Sequence, residues 1–186
     1  MSVSEVSICN SALLKIGAAP ITSLTQDTVE SRLCKEQFAK VRDDLLRAHP
    51  WNFAVKRASL ALLAEVPAFG YSYAFALPSD YIRMIKTDIP TEQWTIESGQ
   101  FLCNFNTANV QYIRRVEAVG EFDTSFAEVL ACKLAHDICY SLVQSVALKA
   151  AIWQDYERKL THARSFNGQE KAPPQVYAKE WLNSRY

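Results

Sequence analysis

DTVESRLCKEQFAKVRDDLLRAHPWNFA (residues 27–54) reads as a long amphipathic helix driven into a corner. Val29, Leu33, Phe38, Val41 and Leu45 fall on one face at 3.6 residues per turn, and charges of both signs fill the remainder. Asp27 followed by Glu30 supplies a start signal, because carboxylates there meet unpaired amides. From 27 to 48 the helix would span ~33 Å at 1.5 Å per residue. His49-Pro50 stops it or bends it sharply, since proline lacks the amide hydrogen and crowds the preceding turn. Trp51 and Phe53 then offer large apolar area at the corner, suited to fixing the helical part against whatever follows. Residues 51–66 fit neither helical nor strand period, and both remain open.

From residue 71 the period changes to two. Tyr71, Tyr73 and Phe75 alternate with small residues, Pro78 breaks the run, and Tyr81 to Lys86 resumes it. Gln93–Glu97 and Gln100–Asn104 flank Ser98-Gly99, a two-residue connection suited to a tight hairpin, and Val110–Val116 adds a strand. Helical spacing frames this region on both sides. Before it, Ser2 and Glu5 form a capping box for Val6, Cys9, Leu13 and Ile16, and Gly17 ends the helix. After it, Ser125 and Glu128 box a helix whose Phe126, Leu130, Leu134, Ile138 and Leu142 recur every four residues. Ile152, Tyr156 and Leu160 mark a fourth helix that Asn167-Gly168 should close. The expectation is an α+β fold. About four helices (2–16, 27–48, 125–146 and 148–165) form a bundle with a small, mostly antiparallel sheet (71–116) inserted in the middle. Residues 1–168 make one domain and 169–186 an extended C-terminal arm.

Lys and Arg number 20 and Asp and Glu number 20, so the formal net charge is zero. No surplus of positive charge favours a dedicated DNA-binding protein, and a neutral chain feels little long-range repulsion from its own copies. A length of 186 residues with 49% hydrophobic and 22% charged residues fits one folded domain, not a disordered, collagen-like or coiled-coil chain. No apolar run approaches the ~18 residues of a membrane span. Met1-Ser2-Val3-Ser4-Glu5 has neither a basic start nor an apolar signal core, so neither membrane nor secretion is expected. Cys9, Cys34, Cys103, Cys132 and Cys139 are odd in number and scattered, which predicts reduced thiols rather than a disulfide framework.

Cys132, His136 and Cys139 stand at i, i+4 and i+7 and share a helix face, from which they could address one metal ion or build a thiol site. Apolar neighbours Ala135, Ile138 and Leu142 flank that face, and no fourth ligand is evident. The sequence has no Gly-rich phosphate loop, no Gly-x-Ser-x-Gly elbow and no His-Glu-x-x-His run. No catalytic residue, cofactor or metal is therefore expected; the alternative is a small thiol enzyme or metal-binding protein centred on Cys132 and His136. Asp43-Asp44 lie ~100° apart around the helix and do not form a facing acid–base pair. Arg114-Arg115 and Lys56-Arg57 are basic pairs suited to nearby phosphate or to salt bridges.

Three blocks in order carry a resemblance: Cys9-Asn10-Ser11-Ala12-Leu13-Leu14-Lys15-Ile16-Gly17 with Ile21-Thr22-Ser23-Leu24; Cys34 in the helix leading to His49-Pro50-Trp51-Asn52-Phe53-Ala54; and Leu77-Pro78-Ser79-Asp80-Tyr81-Ile82-Arg83. From Val3 to Phe166 the chain resembles the tail tubular protein A family of short-tailed phages, whose relatives include head-to-tail adaptors, also called head-completion or gateway proteins. The resemblance implies a structural virion protein of the neck and tail, assembled in the host cytoplasm. It implies a homo-oligomer, a twelvefold ring that docks on the portal protein and extends the DNA channel. Genomic DNA would pass without sequence reading, and the ring would offer the tail nozzle or other tail proteins an attachment surface. Pro50, Trp51, Asn52, Phe53, Pro78 and Asp80 are then motif residues of structural purpose. A closed ring requires head-to-tail contacts, for which Glu30, Arg32, Lys40 and Arg42 are candidate rim charges. In the arm, Pro173-Pro174 favours an extended exit, and Tyr177, Trp181, Leu182 and Tyr186 are candidate anchors for docking on the portal.

Overall fold

The computed structural model describes residues 3–170. In chain order its elements are α1 (Glu5–Ile16), α2 (Val29–Ala48), β1 (Val55–Ser59), β2 (Ala61–Leu62), β3 (Tyr73–Ala76), β4 (Tyr81–Thr87), β5 (Trp94–Glu97), β6 (Gln100–Cys103), β7 (Asn109–Arg114), α3 (Thr124–Val143) and α4 (Val146–Gln169). The α+β architecture is as the two periodicities predict, with the strands between two helix pairs.

Each helix is present, but the caps differ from those read in the sequence. Ser4 caps α1 in a reciprocal box with Ser7, whose amide donates to Ser4 Oγ at 3.1 Å, so the Ser2–Glu5 pairing is not the one that starts the helix. Thr28, not Asp27, caps α2 through the Ser31 amide, and Asp123, not Ser125, caps α3. Thr28 and Asp123 each stand immediately before the first helical residue, from where a side-chain oxygen reaches the free amides two or three positions on, whereas Asp27 lies one residue too early and Ser125 is already inside the helix. Glu128 is instead drawn into ion pairs with Lys15 and Lys159. Helix α4 starts on Ser145 and continues through Asn167-Gly168 to Gln169, beyond the expected stop. Gly17 does end α1, in the left-handed conformation (φ 71°) that glycine adopts without steric cost.

The strands correct the expected single sheet. They form two antiparallel sheets, ordered β1-β7-β4 and β2-β3-β6-β5. Strand structure also begins earlier than residue 71: the ambiguous stretch after Pro50 is a 3₁₀ turn at Asn52–Ala54, followed by β1 and β2. Only Leu60 separates β1 from β2, so one run of chain leaves the first sheet and joins the second. Ser98 (φ 49°) and Gly99 (φ 75°) make the tight β5–β6 turn with both central residues left-handed, the arrangement whose twist matches paired strands.

Two separate apolar cores result. The helical core gathers Ile8, Leu13, Phe38, Leu45, Trp51, Phe126, Leu134 and Ile138. The second, between the sheets, gathers Phe75, Phe101, Val110 and Tyr112. Strand β7 is the partition, because alternation sends Ile113 into the helical core and Tyr112 into the other. Helix α3 packs against α1, α2 and α4. Its stripe Phe126, Leu130, Leu134 and Ile138 is buried, and Leu142 packs at the edge. No helix among the described residues is long and apolar enough to cross a membrane.

Candidate functional site

The corner at Pro50 brings the distant ends of the helical layer together. Helix α2 stops at Ala48, and His49 turns extended (φ −146°) before the proline. Trp51 is 1% exposed, and its Nε1 donates to the Leu45 carbonyl at 2.9 Å, which pairs one of the open carbonyls at the end of α2. Its ring meets Phe126 edge-on at 5.2 Å between centroids, and Phe53 meets Phe126 at 5.0 Å and Phe122 at 5.9 Å. These aromatics lock the start of α3 against the end of α2.

Asn52 extends the lock to α4. Its amide N–H donates to Asn167 Oδ1 at 2.8 Å, and its Nδ2 donates to the Asn167 carbonyl at 2.8 Å and to Glu170 Oε2 at 2.9 Å. Asn167 Nδ2 lies 3.0 Å from His49 Nε2. A reciprocal clamp thus holds the last turn of α4 on the corner, beside a shallow hollow of about 220 Å³ bordered by Phe53, Phe122 and Phe166. Sequence reading gave Asn52 as a motif residue and Asn167 only as part of a helix stop, and only their pairing shows what either does. The portal-docking candidates Tyr177, Trp181, Leu182 and Tyr186 lie outside the described residues.

Pro78 and Asp80 build the other corner. The Tyr81 amide donates to the Pro78 carbonyl at 3.0 Å, closing a turn before β4. Asp80 accepts from Lys56 Nζ at 2.9 Å and from the Tyr112 hydroxyl at 2.8 Å, which ties the turn to β1 and β7. Burial opposes its charge, but those two donors outweigh burial and hold the carboxyl below its ordinary range. Pro50, Trp51, Asn52, Phe53, Pro78 and Asp80 therefore occupy two corners that fasten helices and strands.

Cys132, His136 and Cys139 do not converge. The Cys132 thiol points toward Asp155 Oδ2 at 3.6 Å, while His136 Nδ1 lies 2.8 Å from Asp137 Oδ1 with its ring on Trp153. Cys139 donates only a long contact, 4.0 Å, to the Ser145 carbonyl. No group of three His, Cys, Asp or Glu side chains is placed to hold a metal among the described residues. All five cysteines are free and buried, and burial pushes the Cys132 and Cys139 thiols up, away from the thiolate form that nucleophilic chemistry requires.

Several of the charges have partners. Asp43 accepts from Arg42 Nε at 2.8 Å and from Arg115 Nε at 2.9 Å. Arg42 is 7% exposed, so it is not a rim charge. Lys15 and Lys159 converge on Glu128 from α1 and α4, and Lys159 also reaches Asp155 at 3.2 Å. Burial opposes ionisation of Glu128 and Asp155, but Lys15 and Lys159 at the first and Lys159 and Arg158 at the second outweigh it and hold both carboxyls below their ordinary values.

No protein-family model matches this sequence, and no curated protein matches it.

Proposed function

We propose that the chain is a head-to-tail adaptor, a structural subunit whose copies form a ring on a portal protein, prolong the DNA channel and present a surface to the tail. The observation that carries this reading is the corner at Pro50–Ala54. The block that bears the sequence resemblance clamps the last turn of α4 through Asn52 and Asn167. Immediately after that turn the chain enters the segment rich in large aromatics, Tyr177, Trp181 and Tyr186. A rigid root at this point suits an arm that must leave at a fixed place toward a partner, and aromatic anchors are the residues that dominate docking energy.

The test is removal of Pro173 to Tyr186. The truncated protein is expected to melt close to the full chain and to lose its binding to isolated portal rings, while the full chain decorates those rings with twelve copies in electron micrographs. Unchanged portal affinity after truncation, unfolding of the truncated domain, or a two-fold dimer as the sole assembly with portal present would each overturn the reading.

A further inference from the structure

Of the six basic residues that stand as adjacent sequence pairs, five are committed to carboxylates: Lys56 to Asp80, Arg114 to Glu121, Arg115 to Asp43, Arg158 to Asp155, and Lys159 to Glu128 and Asp155. Arg57 has no ion-pair partner among the described residues, and neither does Lys86, which no sequence pattern singles out. The topology brings these two together. Strand β7 lies between β1 and β4, and Gln111 is the cross-strand partner of both Arg57 and Lys86. Cross-strand partners project from the same face, so two exposed cations flank one amide with stems ~10 Å apart, two strand spacings. Ile113, two positions along β7 on that face, is buried under the helices. At the Gln111 row the face is open and forms a broad hollow of about 520 Å³, bordered also by Ser59, Asp88 and Asn109.

The chemistry of this hollow is that of an anion contact. Its one carboxylate among the described residues, Asp88, is already engaged by the Asn109 amide at 3.1 Å, Asn109 Nδ2 at 2.8 Å and Thr87 Oγ1 at 3.2 Å, which leaves Arg57 and Lys86 as the uncommitted charges. Among the described residues no aromatic side chain borders the hollow, so none of them offers a base a ring to stack on. A guanidinium fork, an ammonium and an amide are donors suited to phosphate oxygens. Their separation addresses neighbouring phosphates of a repeating backbone better than a single compact anion.

We propose that the Arg57–Gln111–Lys86 row is a phosphodiester contact surface that takes two phosphates of a DNA duplex without reading its bases. The proposal deepens the adaptor reading and rests on it for the identity of the polyanion, the genome in the channel; the binding itself belongs to the single chain.

Fluorescence anisotropy of a short labelled duplex of arbitrary sequence, titrated with the full chain at several NaCl concentrations, tests it. Two phosphate contacts predict that log K falls with log[salt] at a slope of about −1.8. Arg57→Ala/Lys86→Ala should bind ~10-fold more weakly at low salt with a slope near zero. Lys35→Ala/Arg164→Ala removes the same formal charge from exposed helix positions and should leave affinity and slope unchanged. Both double variants should melt like the parent, because none of the four side chains is buried. Absence of duplex binding, equal losses in the two double variants, or competition by free phosphate or polyglutamate as effective as that by unlabelled duplex would overturn the proposal. Portal-ring decoration, measured on the same proteins, separates the two readings. Decoration without Arg57- and Lys86-dependent DNA binding sinks this surface alone, and such binding without decoration sinks the adaptor reading alone.

Discussion

Truncating Asn52 to alanine tests whether the corner and the end of α4 are one unit. The substitution removes two hydrogen bonds donated by Nδ2, to the Asn167 carbonyl at 2.8 Å and to Glu170 Oε2 at 2.9 Å. The first is half-buried and contributes ~1 kcal/mol, and the second, solvent-exposed, contributes ~0.5 kcal/mol. A loss of ~1.5 kcal/mol follows, or ~3–6 °C in melting temperature for a domain of this size. Asn167→Ala removes the acceptor of the Asn52 amide and the contact with His49, and costs ~1.5 kcal/mol after the better helix propensity of alanine is allowed for. The two bonds between Asn52 and Asn167 are reciprocal, so losing one leaves the other poorly aligned. The double variant should therefore be less destabilised than the sum, with a coupling of ~0.5–1 kcal/mol. Urea unfolding of the four proteins measures this directly. Strict additivity, or a change below the error of the midpoint for Asn52→Ala, would refute the clamp.

Three further outcomes are expected. Stability should fall on acidification, because Glu128, Asp80 and Asp155 have depressed folded-state pKa values; their contribution is present above the unfolded carboxylate pKa of ~4 and is lost as pH falls through the lower folded values. Glu128→Gln should accordingly lower the melting temperature at neutral pH and flatten its acid slope, and a parallel shift at every pH would contradict this. Gly99→Ala should cost ~1–2 kcal/mol for placing a Cβ at φ 75°, with nothing else in the way, and Ser98→Asn should be neutral or slightly stabilising; thermal melts check both. The buried thiols should react with a disulfide reagent far more slowly in the native protein than in denaturant, and a fast native reaction at Cys132 would point to nucleophilic chemistry at that residue.

The long helices were legible in the sequence because their apolar stripes are longer than any competing pattern, as Phe126 through Ile138 shows. Their starts were less legible: Ser2 and Ser4, Asp27 and Thr28, and Asp123 and Ser125 are all competent caps, and backbone direction selects among them. Strand β1 was hidden by its composition. Val55-Lys56-Arg57-Ala58-Ser59 has exposed charges at consecutive positions, because Lys56 serves the Asp80 corner on one face and Arg57 stands in the open hollow on the other. The continuation of α4 past Asn167-Gly168 was illegible for a different reason. The Asn167 side chain is held by Asn52, 115 positions away, and no local pattern records such a partner. The same separation hid the clamp, while the corner that hosts it was read from Pro50, Trp51 and Phe53 alone.

The partition made by β7 has a consequence for the growing chain. The core between the sheets draws on residues 60–112, a contiguous stretch that can collapse as it emerges. The helical core joins Ile8 and Phe38 to Phe126 and Ile138. At ~5–20 residues per second, α1 and α2 wait several seconds on the ribosome with their apolar faces uncovered until α3 arrives. An isolated fragment ending before Thr124 would keep those faces permanently open. Such a fragment should be captured by chaperones or aggregate, even though its strands can pair.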